Sequence, residues 1–194
     1  MYQQISNTCR IAHFHLRNIG AVRKYVTREA CEKLVHAFIT SRLDYGNSLL
    51  YGTPDYQLAR LQRIFNTAAR ILTLTPLSVD IIYVLHSLHW LPVKQRINYK
   101  ILLLTFRALN GMAPAYLSDL LHFYSPAKNL RSAEKQLLVV PPTFMKTAGD
   151  RAFSSAAPIL WNSLPFNMKE MCSLDSFKTS LKTHLSKPVM IINV

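Results

Sequence analysis

Within PDYQLARLQRIFNTAARILT, residues 54–73, apolar side chains recur at steps of three and four: Leu58, Leu61, Phe65, Ala68 and Leu72. That spacing is the repeat of one face of an α-helix, and a strand, with its period of two, would scatter the same residues over both faces. Arg60, Arg63, Thr67 and Arg70 gather on the opposite side. The segment is expected to be a helix with one packed and one cationic face.

A second segment, LHWLPVKQRINYKILLLTFRALNG at 88–111, predicts a helix over 93–109. Pro92 suits a first helical turn and Gly111 suits the left-handed residue that closes a helix. Val93, Ile97, Ile101, Leu104 and Ala108 form one apolar stripe; Tyr99, Leu102, Phe106 and Leu109 form another. Arg96, Lys100 and Arg107 share the band between them, with no acidic residue near along the chain. Two stripes imply packing on two sides, so this helix should be central, with a single cationic strip reaching the surface.

The remaining signals are also mostly helical. Thr27 can cap a helix that carries Glu29 in its first turn and Cys31, Leu34, Val35 and Phe38 on one face, with Gly46 just past its end. Ser78 and Asp80 mark the start of a short helix reaching about His86, and Pro114 opens another through AYLSDLLHFY. The stretch SPAKNLRSAEK reads as a polar connection. QLLVVPP is β-branched and ends in two prolines, so it is either a brief strand or an extended segment laid over helices. Pro158 should interrupt or kink any helix through GDRAFSSAAPILWNSLP. In SLDSFKTSLKTHLSK, Ser173 is a plausible cap, and Phe177, Leu181 and Leu185 form a narrow stripe beside Lys178, Lys182 and Lys187. The expected fold is mainly α: a helical bundle-like array with a short extended or β segment near 136–141 and a small C-terminal helical appendage. Expected boundaries are a helical region at 1–124, a linker at 125–150 and the appendage at 151–194.

Composition matters for partners. Lys and Arg number 23 against 10 Asp and Glu, a formal net charge of +13, which favours polyanions. The strips formed by Arg60, Arg63 and Arg70 and by Arg96, Lys100 and Arg107 are therefore candidate contacts to an RNA or DNA backbone, since a guanidinium donates in pairs to phosphate and stays charged. Tyr25, Tyr51 and Tyr56 could stack on unpaired bases, but burial in or beside the core is the expectation for each.

Signs of chemistry are few. The five glycines, Gly20, Gly46, Gly52, Gly111 and Gly149, stand singly, so there is no phosphate-binding glycine loop, and no G-x-S-x-G elbow occurs. The acidic residues are nearly all isolated in sequence, unlike the paired carboxylates of a two-metal site. Cys9, His13 and His15, joined by Cys31 or His36, have the residue types of a zinc site but match no standard spacing; a buried thiol with surface histidines is the expectation. No catalytic residue, metal or cofactor is expected. Three cysteines without a C-x-x-C pair point to a reducing compartment, and neither a signal peptide nor an apolar run of about 18 residues is evident, so an intracellular chain, nuclear or cytoplasmic and without a membrane partner, is expected.

Several blocks resemble a known family. In order they are HLRNIGAVRKYVTREACEKLVHAFITSRLDYGNSLLYGTPDYQLARLQRIFNTAARILT, LHWLPVKQRINYKILLLTFRALNGMAPAYLSDLL, GDRAFSSAAPILWNSLP and SLDSFKTSLKTHL. They are similar to the carboxy-terminal region of the open reading frame 2 protein of LINE-type, non-long-terminal-repeat retrotransposons, in the jockey-like and chicken-repeat-like branches. The resemblance spans about residues 10–185 and is carried most specifically by LHWLPVKQRI and AAPILWNSLP. It implies the post-palm, thumb-like part of an RNA-directed DNA polymerase, without the endonuclease and without the palm's Tyr-x-Asp-Asp motif; LDYG at 43–46 has one carboxylate in the wrong order. No catalytic carboxylate can be carried over. Arg60, Arg63, Arg70, Arg96 and Lys100 fall in matching blocks of a region thought to hold template and primer. Gly46 stands where the family commonly has Cys, and TPLSVDIIYVL replaces a polar segment. The implied role is sequence-independent RNA or DNA binding. The alternatives are a helical module that recruits the missing palm or another protein, and a non-functional relic of an insertion.

Overall fold

The computed structural model describes residues 2–125, 136–143 and 149–186. The described residues are mainly α-helical. The polar connection SPAKNLRSAEK lies almost wholly outside them, as do Lys187 and the tail that follows. Contacts divide the chain into two compact units, 1–96 and 97–194. This division falls inside one helix and not at the expected boundaries near 124 and 150.

The first unit contains α1 (Tyr2–Val22), α2 (Arg28–Val35), a π turn at His36–Thr40, α3 (Ser41–Asp44), α4 (Asp55–Thr73), α5 (Ile81–Ser87) and the first residues of α6 (Val93–Leu109). The expected capping residues are in place. Thr27 accepts a hydrogen bond from the Ala30 amide, Asp80 accepts one from the Ile82 amide, and Gly46 closes α3 at φ +61°. All five members of the 54–73 stripe are buried. On α2, Cys31 and Val35 are buried, whereas Phe38 stays 39% exposed because it lies in the π turn, where the wider winding rotates it off the stripe.

Helix α1 packs along α4 with its stripe Ile5, Cys9, Ala12, Leu16 and Ile19. The two run parallel. Ser6, early in α1, accepts from Arg60 Nη1 at 3.2 Å, while Gly20, late in α1, lies against Ile71, late in α4. Arg23 locks this end: Nε and Nη2 donate to the carbonyls of Ile71 and Leu72, both at 3.0 Å, and Nη1 donates to Val26 at 3.1 Å. One guanidinium thereby satisfies carbonyls at the negative end of α4, where a cation is also favoured by the helix dipole.

The second unit contains the rest of α6, α7 (Ala115–Ser118), an extended stretch through 136–143, α8 (Phe153–Asn162), α9 (Phe166–Lys169) and α10 (Leu174–Ser186). Helix α6 has its expected bounds, and Gly111 takes φ +67°. Phe106 stacks on Phe177 of α10 with ring centroids 4.2 Å apart, and Trp161 of α8 lies 6.1 Å from Phe177. Those three rings are fully buried and explain why 97–109 clusters with the C-terminal helices.

Two expectations are corrected here. The helix after Pro114 stops at Ser118, and the chain then extends so that Phe123 bridges Leu138 in antiparallel fashion, Tyr124 donating to Leu137 and Val139 to His122. Helix α8 also runs through Pro158. The 136–141 segment is extended, as expected. It is fastened by the Trp-Asn pair of the LWNSLP block: Asn162 both accepts from and donates to the backbone of Leu138, and Trp161 Nε1 donates to the Gln136 carbonyl. One edge of this segment bonds to the backbone of 122–124, and these two side chains satisfy the Leu138 amide and carbonyl and the Gln136 carbonyl that the bridge leaves over.

Candidate nucleic-acid interface

The six sequence-predicted cations do not form one exposed strip. Four belong to the first unit, and three of these have duties inside it. Arg60 donates to Ser6 and stands over the Tyr2 ring, 5.7 Å from its centroid. Arg70 reaches past the end of α4 to the carbonyls of Pro76 and Val79, the latter at 2.9 Å, and so holds the loop leading to α5. Arg96 has no acidic residue near it along the chain, but the fold brings one to it. It makes a two-pronged pair with Asp44, Nε to Oδ1 at 2.8 Å and Nη2 to Oδ2, and stands over Phe65 at 5.0 Å. Asp44 is 52 residues away in sequence, which is why the local charge pattern does not reveal it.

Arg63 is exposed, making one long 3.4 Å contact back to its own helix at Ala59. In the second unit, Lys100 is exposed and Arg107 half-buried. The single strip expected along α6 is therefore interrupted at its start by the Arg96–Asp44 pair.

Sequence reading missed the cations of α1. Its stripe of Ile5, Cys9, Ala12, Leu16 and Ile19 is a sufficient helical signal, and on that wheel Arg10 and Arg17 fall outward. Both are exposed, and among the described residues neither makes an ion pair. Residues 2–22 contain no Asp or Glu at all; the sole acid of α4 is Asp55, held by Lys94 at 3.2 Å. The paired helices α1 and α4 thus present Arg10, Arg17 and Arg63 with no uncompensated carboxylate of their own.

The charge of α4 is felt across the pair. Burial pushes the Cys9 thiol above its ordinary value, while Arg60 and Arg63 act against that rise by favouring the thiolate. Burial likewise raises Cys31, with Arg23 opposing. Cys9 is buried and His13 exposed, as expected, while His15 is half-buried and stacks on Phe38 at 4.8 Å. Among the described residues no cluster of His, Cys, Asp or Glu has the geometry to hold a metal ion.

Tyr25 and Tyr56 differ from expectation: they are 77% and 66% exposed, and Tyr51 is half-buried. Tyr25 ends the 3₁₀ turn Arg23–Tyr25 that Arg23 anchors, which turns it outward beside Lys24. Among the described residues no helix is long and apolar enough to cross a membrane.

In class, then, this is a mainly α-helical, strongly basic chain. Compared with known proteins, it matches no family model, no curated protein and no solved structure.

Proposed function

We propose that the chain is a post-palm, thumb-like piece of a LINE-type retrotransposon reverse transcriptase, and that it grips the backbone of RNA or DNA without reading sequence. The carrying observation is the outward surface of α1 and α4, where Arg10, Arg17 and Arg63 are exposed beside no free carboxylate of either helix. Lys100 and Arg107 add charge on the second unit. Phosphate contacts of this kind position a protein and carry no sequence information, so low specificity belongs to the reading. No catalysis is assigned to the chain, because the sequence has no counterpart of the family's paired palm carboxylates. The missing palm is a natural protein partner on this reading.

The test is binding of the purified chain to single-stranded RNA and to an RNA–DNA duplex across a salt series. Affinity that falls steeply and equally for unrelated sequences supports the reading, since each phosphate contact adds roughly 0.7 to 0.9 to the slope of log affinity against log salt. A folded chain that ignores both ligands overturns it.

A second reading, a protein-interaction module, is favoured by one cluster in the first unit. Leu74, Leu77, Val79, Ile82 and Tyr83 all stand exposed around the start of α5. Concentration-dependent self-association removed by Leu77→Ser with Ile82→Ser would favour that reading.

A further inference from the structure

The outer face of α1 carries an aromatic ring as well as charge. Phe14 is 61% exposed, although α1 already has a complete buried stripe on its other side. Arg10 lies four residues before it and Arg17 three after, so the three side chains stand on one ridge with the ring between the two guanidiniums. Arg10 is steadied by Asn7 at 3.0 Å.

The ring is also braced. Phe14 meets His15 edge-on, with centroids 5.5 Å apart and planes at 73°, and His15 stacks on Phe38 with planes at 24°. Phe38 comes from the π turn between α2 and α3, the irregularity that turns it out of the core. A single edge-on contact supports Phe14 without covering both faces of its ring.

From this geometry we infer that the Arg10–Phe14–Arg17 ridge binds single-stranded nucleic acid, with an unpaired base stacked on Phe14 and the flanking phosphates held by the two arginines. The inference rests on the nucleic-acid reading above and names its substrate class. A free base has a π-face of the right size and sits between negative charges, whereas a duplex keeps its bases stacked inside and offers Phe14 nothing to stack on. The prearranged ring loses little rotamer freedom on binding. An anionic membrane fits less well: an interfacial helix needs a continuous apolar face, and that of α1 is buried against α4, leaving Phe14 among Asn7, Arg10, His13, Arg17 and Asn18.

The experiment is fluorescence anisotropy of the full chain with a short labelled oligothymidylate, an abasic single strand of the same length and the matching duplex. Phe14→Ala should weaken oligothymidylate binding by about tenfold and leave the other two within about twofold. Phe14→Trp should restore the loss, and its emission should be quenched by oligothymidylate but not by the abasic strand. Arg10→Gln with Arg17→Gln should weaken all three and flatten their salt slopes. Because Phe14 is exposed, circular dichroism should read these variants as folded. Silence of Phe14→Ala, or an equal loss on all three ligands, overturns the inference while leaving the general reading intact. Failure of the wild-type chain to bind any of them overturns both. Phe14-dependent binding to phosphatidylserine vesicles without a base-dependent effect would assign the ridge to a membrane instead.

Discussion

Arginine is used in two ways on neighbouring parts of the first unit. At the ends of α4 and the start of α6, Arg23, Arg70 and Arg96 turn back on the chain, to the carbonyls of Ile71, Leu72, Pro76 and Val79 and to the Asp44 carboxylate. Along α1 and on the outer side of α4, Arg10, Arg17 and Arg63 face outward. The residue type and even the helical spacing are alike. What differs is whether an orphaned acceptor lies within a side chain's reach, and such acceptors concentrate at helix ends and loops, where backbone carbonyls lack partners. Cations at mid-helix positions are more often free for an external anion than cations near an end.

Mutations can break this division. The largest effect should come from Arg23→Met, which removes three hydrogen bonds from a charged donor, two to carbonyls of α4 and one to the carbonyl of Val26: a loss of about 2–3 kcal/mol in urea unfolding, tempered by Arg23 being half-buried. Asp44→Ala should cost less, about 1–2 kcal/mol, because it strands a half-buried Arg96 whose partner carboxylate was itself 37% exposed. It should leave the salt dependence of nucleic-acid binding nearly unchanged. Changing Arg10, Arg17 and Arg63 together to Gln should shift stability by under about 0.5 kcal/mol yet remove roughly two to three units from the salt slope. If the triple variant unfolds the chain, or if Arg23→Met leaves stability untouched, the division is wrong.

The smallest effect concerns pH. Cys9 and Cys31 hold their protons more tightly when folded than at the ordinary value of 9.0. The unfolded chain therefore releases protons first, and stability should be intact below about pH 9 and decline as pH rises through and above it. Replacing both by Ala should flatten that decline. Thiol titration near pH 8 should meanwhile modify the exposed Cys172 quickly and the other two only on unfolding.

Much of the fold is legible because helices announce themselves locally. Leu58, Leu61, Phe65, Ala68 and Leu72 needed nothing beyond their spacing, and Thr27, Gly46, Asp80 and Gly111 mark helix ends through short-range chemistry. The π turn at 36–40 was not legible, since the sequence there reads as unbroken helix and only Phe38 betrays it by its exposure. Helix α8 passed through Pro158, well inside its ten residues, because Pro158 itself and Ala156 and Ala157 before it are packed in the core, and that packing offsets the backbone hydrogen bond the ring cannot donate. The candidate site fared unevenly. Arg63 and Lys100 stand outward as read, but the partners of Arg60, Arg70 and Arg96 come from tertiary structure, and Ser6, Val79 and Asp44 cannot be matched to them by periodicity. Arg10, Phe14 and Arg17 were available on the helical wheel of α1 all along.

The parallel pairing of α1 with α4 sets an order of events during synthesis. The stripe Ile5, Cys9, Ala12, Leu16 and Ile19 leaves the ribosome well before residues 55–73 exist to cover it. At roughly 5–20 residues per second the wait is several seconds, against about a microsecond for a helix to form. A newborn α1 is therefore an amphipathic helix in search of a surface, and a chain terminated before Asp55 would meet that search only in part, through α2, the π turn and α3, and would be prone to aggregate or to be captured by a chaperone.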